Sequence, residues 1–119
     1  MTTIINTKLG DHRGKKRLWL EGTKLQREGI TSGAKFKLVF RESKMIISVC
    51  DEGQFTVSRR DRNGKVLPII DVMVGEMAAL FEGIDMLRVS IRKGTIIVSA
   101  HQHVGKIIER VETLKKKVK

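Results

Sequence analysis

Apolar and polar positions along this chain fall into short alternating runs, not long helical stretches. Phe36-Lys37-Leu38-Val39-Phe40-Arg41 alternates as a half-buried strand. Glu42-Ser43 makes a tight connection, and Lys44-Met45-Ile46-Ile47-Ser48-Val49 returns, so the pattern predicts a β-hairpin. Leu87 to Arg92, a turn at Lys93-Gly94 and Thr95 to Ser99 predict a second hairpin. Each hairpin is preceded by an apolar strand and a short helix. The first strand is entered by a turn at Gly14 and runs through Leu18-Trp19-Leu20. Its helix lies between Thr23 as N-cap and Gly29 as stop. The second strand runs from a turn at Gly64 through Ile69-Ile70-Asp71, and its helix covers 74–81, ended by Gly83. Asp51-Glu52-Gly53 reads as a turn, and Phe55 to Val57 as one more short strand.

The two halves therefore share one order of strand, helix and hairpin. Leu20-Glu21 falls on Ile70-Asp71 at an offset of 50, and Ile46-Ile47-Ser48 on Ile97-Val98-Ser99 at an offset of 51. A shared order at a fixed period is the mark of an internal repeat. One unit of about 40 residues cannot bury its own apolar face, whereas two can close on each other. The fold class expected is mainly β with short helices. Duplicated units at about 14–50 and 64–100 would form a pseudo-twofold barrel within a domain spanning 1–103. Residues 104–119 differ: Val104, Ile107, Ile108, Val111 and Leu114 follow helical spacing, with Lys and Arg on the other face. They predict a basic amphipathic helix that packs on the barrel, captures a protein partner, or links to a further domain.

Composition narrows the class. Of 119 residues, 40% are apolar but only 4% aromatic, so the core must be aliphatic. A single cysteine, Cys50, excludes an intrachain disulfide, and no apolar run approaches the roughly 18 residues of a membrane span. The N-terminus lacks the pattern of a signal peptide, so a cytoplasmic location is expected. The formal net charge of +11 predicts attraction to a polyanion. That charge is concentrated. Residues 1–20 carry +4, 58–65 carry +3 and 104–119 carry +4, while 21–57 and 66–103 together sum to zero. A solubility surface needs no such concentration; a nucleic-acid footprint does.

The unit Arg17-Leu18-Trp19-Leu20, a short helix ending in Gly29-Ile30-Thr31-Ser32-Gly33, then a hairpin, resembles the AbrB/MazE swapped-hairpin family of DNA-binding regulators and antitoxins. There each chain contributes one such unit to a two-chain barrel. A second resemblance is to the N-terminal, non-catalytic extension of phage- and plasmid-type DNA cytosine-5 methyltransferases. It is carried by His12-Arg13-Gly14-Lys15-Lys16-Arg17-Leu18-Trp19-Leu20-Glu21-Gly22, by Leu67-Pro68-Ile69-Ile70-Asp71 and by Leu80-Phe81-Glu82-Gly83. The chain has no Pro-Cys pair, so the catalytic domain of that family is absent. The AbrB-like resemblance implies DNA contacts from basic residues around the first strand of each unit. Those are Arg13, Lys15, Lys16 and Arg17 in the first, and Arg59, Arg60, Arg62 and Lys65 in the second. His12 sits in the first cluster and can add a phosphate contact. Lys16-Arg17 aligns with Val66-Leu67, so the two units would read a non-palindromic site.

Other chemistry is sparse. Trp19 reads as core, as do Phe36, Phe40, Phe55 and Phe81, which argues against single-strand stacking. His101 and His103 lack a third metal ligand nearby, and Cys50 has no histidine close in sequence. Gly64-Lys65 lacks the spacing of a phosphate loop. The expectation is a non-catalytic, metal-free and cofactor-free DNA-binding domain, monomeric or homodimeric. It would serve as the recognition module of a DNA methyltransferase or as a transcription regulator. The alternative is a protein-interaction module, antitoxin-like or anti-defence, acting through the C-terminal helix.

Overall fold

The computed structural model describes residues 2–101. The chain order is β1 (Thr3–Thr7), β2 (Gly10–His12), β3 (Lys15–Glu21), α1 (Thr23–Arg27), β4 (Lys35–Arg41), β5 (Lys44–Val49) and β6 (Phe55–Thr56). Then follow β7 (Ser58–Arg62), β8 (Lys65–Val72), α2 (Gly75–Leu80), β9 (Leu87–Arg92) and β10 (Thr95–Ala100). The fold is mainly β with two short helices. No helix among the described residues is long and apolar enough to cross a membrane. The tail from 104 lies outside the described residues.

The strands form two antiparallel sheets, of order β1-β9-β10-β5-β4-β6 and β2-β3-β8-β7. Neither sheet closes on itself, so the closed barrel expected from the sequence gives way to two open sheets on a common core. The reason lies at two corners. Lys8-Leu9 carries the chain from β1 in one sheet to β2 in the other, and Val57 alone carries it from β6 to β7. Val57 is buried in its bend and exchanges backbone hydrogen bonds with Gly33 and Ala34, just past the end of the β4–β6 ladder.

Both sheet orders read the same outward from their centres. β3 pairs with β8 so that Leu20 faces Ile70, and β5 pairs with β10 so that Ile46 faces Ile97. These are the residues matched by the two sequence offsets. Strand alternation sends Leu18, Leu20, Ile70 and Val72 into the core from the smaller sheet, and Met45, Ile47, Val89, Ile91, Ile96 and Val98 from the larger. Each such side chain, fully buried, contributes about 1.5–3 kcal/mol. Leu25 of α1 and Met77 of α2 plug the remaining gaps. The Phe36 and Phe55 rings stack at 5.3 Å, and Gly53 lies so close to the Phe36 backbone that a side chain there would collide with it.

All four hairpins use two-residue loops with positive φ at both positions, the mirror-image turns whose twist suits paired strands. The loops are Arg13-Gly14, Glu42-Ser43, Asn63-Gly64 and Lys93-Gly94. Strands β1, β2 and β7 are absent from the sequence reading. β7, Ser-Arg-Arg-Asp-Arg, is exposed at every position and carries no apolar phase to betray it. The N-cap of α1 is Gly22, at φ 108°, and not Thr23.

Candidate nucleic-acid interface

Both basic clusters lie in the four-stranded sheet. The β2–β3 hairpin carries the first and the β7–β8 hairpin the second, with β3 and β8 joining them. Register divides their side chains between two sides. His12, Lys15 and Arg17 project outward with Trp19 and Glu21, as do Arg60, Arg62 and Lys65 with Asp71. Lys16 and Arg59 lie in the opposite phase, on the side of the core-facing residues, and Arg13 forms the hairpin turn.

The clusters share a surface but not a spot. β3 and β8 are antiparallel about the Leu20–Ile70 pair, and Lys15 and Lys65 each lie five residues before it. The hairpin tips therefore point in opposite directions, about 30 Å apart at the rise of an extended strand.

Four acidic residues occur in the strands of this sheet, and each holds one basic residue. Asp71 accepts two hydrogen bonds from Arg17, Nε to Oδ1 and Nη2 to Oδ2, both 2.8 Å. These bonds raise the pKa of the Arg17 guanidinium, outweighing the opposing effect of its desolvation. Glu21 accepts from Arg60 at 3.3 Å and from the Trp19 indole at 3.1 Å. Lys16 pairs with Asp11 at 3.2 Å, and Arg59 with Asp61 at 2.9 Å. Arg17 also lies over the Trp19 ring, 4.3 Å from its centroid. Trp19 is thus no core residue: it is 37% exposed at the centre of the outer face. Sequence reasoning missed it because its neighbours Leu18 and Leu20 are fully apolar, although simple alternation places position 19 on the other side.

Of the nine expected contacts, Lys16, Arg17, Arg59 and Arg60 are held by acids, while Arg13, Lys15, Arg62 and Lys65 carry no ion pair among the described residues. The outward face is therefore charge-neutralised at its middle by Glu21 and Asp71, while Asp11 and Asp61 hold Lys16 and Arg59 on the other side, one cross-strand pair back from each tip. The other candidates are scattered. Cys50 follows β5 at the end where β10 begins, His101 follows β10 at its far end, and His12 sits in the other sheet. His103 lies outside the described residues. Comparisons with protein-family models, with curated proteins and with solved structures gave no match.

Proposed function

We propose that this chain binds double-stranded DNA, without catalysing a reaction on it, through the tips of the β2–β3 and β7–β8 hairpins. The observation that carries the reading is the placement of Arg13 with Lys15 and Arg62 with Lys65. They lie at opposite ends of the sheet, and on the outward face that Lys15, Arg62 and Lys65 share, the acids Glu21 and Asp71 sit at the middle. Their separation of about 30 Å is close to the roughly 34 Å helical repeat of B-form DNA, so both tips can meet phosphates on one side of a duplex. Arg and Lys at those tips supply the phosphate contacts that position a protein on DNA.

On this reading the chain is an internal duplication of AbrB/MazE-like units with a pseudo-twofold axis through the Leu20–Ile70 and Ile46–Ile97 pairs. Those registers support it, because residues related by the repeat face each other across the axis. The tips then act as two unequal half-site readers, as suits the recognition part of a methyltransferase or a regulator. A mobility-shift titration at two salt concentrations tests it. Four phosphate contacts should give a slope of log K against log salt of about −3 to −4. Lys15→Glu combined with Lys65→Glu should abolish the shift while leaving the thermal melt intact. No binding, or binding indifferent to salt, overturns the reading.

A further inference from the structure

Strands β1, β4, β5, β6, β9 and β10 of the larger sheet contain no Asp or Glu at all. Their outward phase carries Lys35, Lys37, Arg41, Lys44, Arg88 and Arg92, each exposed and without an ion pair among the described residues. This face escapes a count along the chain, because 21–57 and 66–103 balance to zero. Folding sends their acids to the other sheet, the helices and the loops.

The outer face is ordered in three rows. Ile4, Ser90, Ile97, Ile46 and Val39 lie side by side across five strands. Ile4 is 49% and Ile97 37% exposed, placing them among the few large apolar side chains left in solvent. On one flank lie Asn6, Arg88 and Ser99, continued by the facing pair Lys44 and Arg41. On the other lie Arg92, Thr95, Ser48 and Lys37.

We infer that this face is a docking surface for an acidic amphipathic helix of a partner protein. An apolar centre within a polar rim is the anatomy of a protein interface, and a rim of one sign selects a partner of the other. The dimensions suit a helix. The central row, apolar except at Ser90, spans about 19 Å at the spacing of neighbouring strands, the length of about 13 helical residues. The cationic rows lie about 7 Å to either side, within reach of carboxylates on the flanks of a helix about 10 Å across. A second copy of this chain is unsuited, because two cationic rims would face each other. Single-stranded nucleic acid is less suited than a helix, because aliphatic side chains give bases nothing to stack on; a duplex, which needs no stacking platform, is decided by the test.

Lysine acetylation of the full chain tests the inference. The probe is a synthetic peptide of about 14 residues, leucines in one helical stripe and glutamates on both flanks, with a scrambled peptide of equal composition as control. The ordered peptide should protect Lys37 and Lys44, and the scrambled one should not. Ile4→Ser with Ile97→Ser, and separately Arg88→Gln with Arg92→Gln, should each weaken peptide binding roughly tenfold. All four positions are surface sites, and circular dichroism melts confirm that each variant is folded. Equal protection by the scrambled peptide, or undiminished binding by both variants, overturns the inference. So does stronger protection of Lys37 and Lys44 by a DNA duplex or by phosphatidylglycerol vesicles. A duplex that fails to protect Lys15 and Lys65 counts against the DNA reading alone.

Discussion

The two sheets meet their charges in opposite ways. In the four-stranded sheet Asp11, Glu21, Asp61 and Asp71 each hold a cation, and Trp19 lies beneath the guanidinium of Arg17. In the six-stranded sheet no strand offers an acid, and five cations flank a row that is aliphatic except at Ser90. Net charge per segment misses this picture: β2, β7 and most of β3 fall in the basic segments, but all of β8 except Lys65 falls in a neutral one, as does all of the larger sheet except β1. Charge counted along a chain therefore locates basic residues, but only the folded arrangement says which of them keep a field open to solvent.

The largest expected effect concerns what the two sheets share. Ile96 in β10 and Leu20 in β3 both point into one core. Replacing either by Ala should cost about 2–5 kcal/mol, and urea unfolding followed by Trp19 fluorescence and by circular dichroism should show a single coincident transition. Separate transitions would mean that each sheet has a core of its own.

Next is the contrast in pairing itself. Asp71→Asn removes the charge that holds Arg17, making the middle of the smaller sheet resemble the larger. Duplex affinity should rise several-fold, with a salt slope steeper by about one phosphate. An unchanged slope would place Arg17 outside the DNA contact.

A smaller effect belongs to Glu28, the one buried acid among the described residues, 6% exposed at the C-terminus of α1. Burial pushes its carboxyl pKa up, but the Lys93 backbone N–H, the Thr3 hydroxyl and the Arg27 charge together hold it below the usual value. A lowered folded-state pKa gives stability that is full above the ordinary glutamate range. It is lost as pH falls through the folded value. Thermal melts should decline in that acid window, and Glu28→Gln should flatten the decline; an identical profile would remove Glu28 from the link between α1, β1 and the β9–β10 turn.

The smallest effect separates the hairpin turns. Asn63-Gly64 suits positive φ at both positions, whereas Glu42-Ser43 holds φ of 51° and 63° with residues that resist it. Glu42→Asn with Ser43→Gly should stabilise the chain by about 0.5–1 kcal/mol in thermal melts.

Much of the fold is legible locally. The β4–β5 and β9–β10 hairpins, both helices and the strand cores at Leu18–Leu20 and Ile69–Ile70 follow from alternation and turn residues. β2 and β7 are illegible because their short, exposed sequences carry no apolar phase; neighbouring strands hold them in place through backbone hydrogen bonds. Trp19 was readable from its phase but obscured by its hydrophobicity.

By itself the sequence determined most of the aliphatic core, where the hairpins turn, and which runs form the strands of the β4–β5 and β9–β10 hairpins. These depend on period and on local backbone preference, which neighbouring residues decide. Only the tertiary structure decided which cations are neutralised. Arg17 finds Asp71 across 54 positions, and Arg60 finds Glu21 across 39. Such pairs depend on the register between strands distant in the chain, and that register is set by how two apolar faces close over one core.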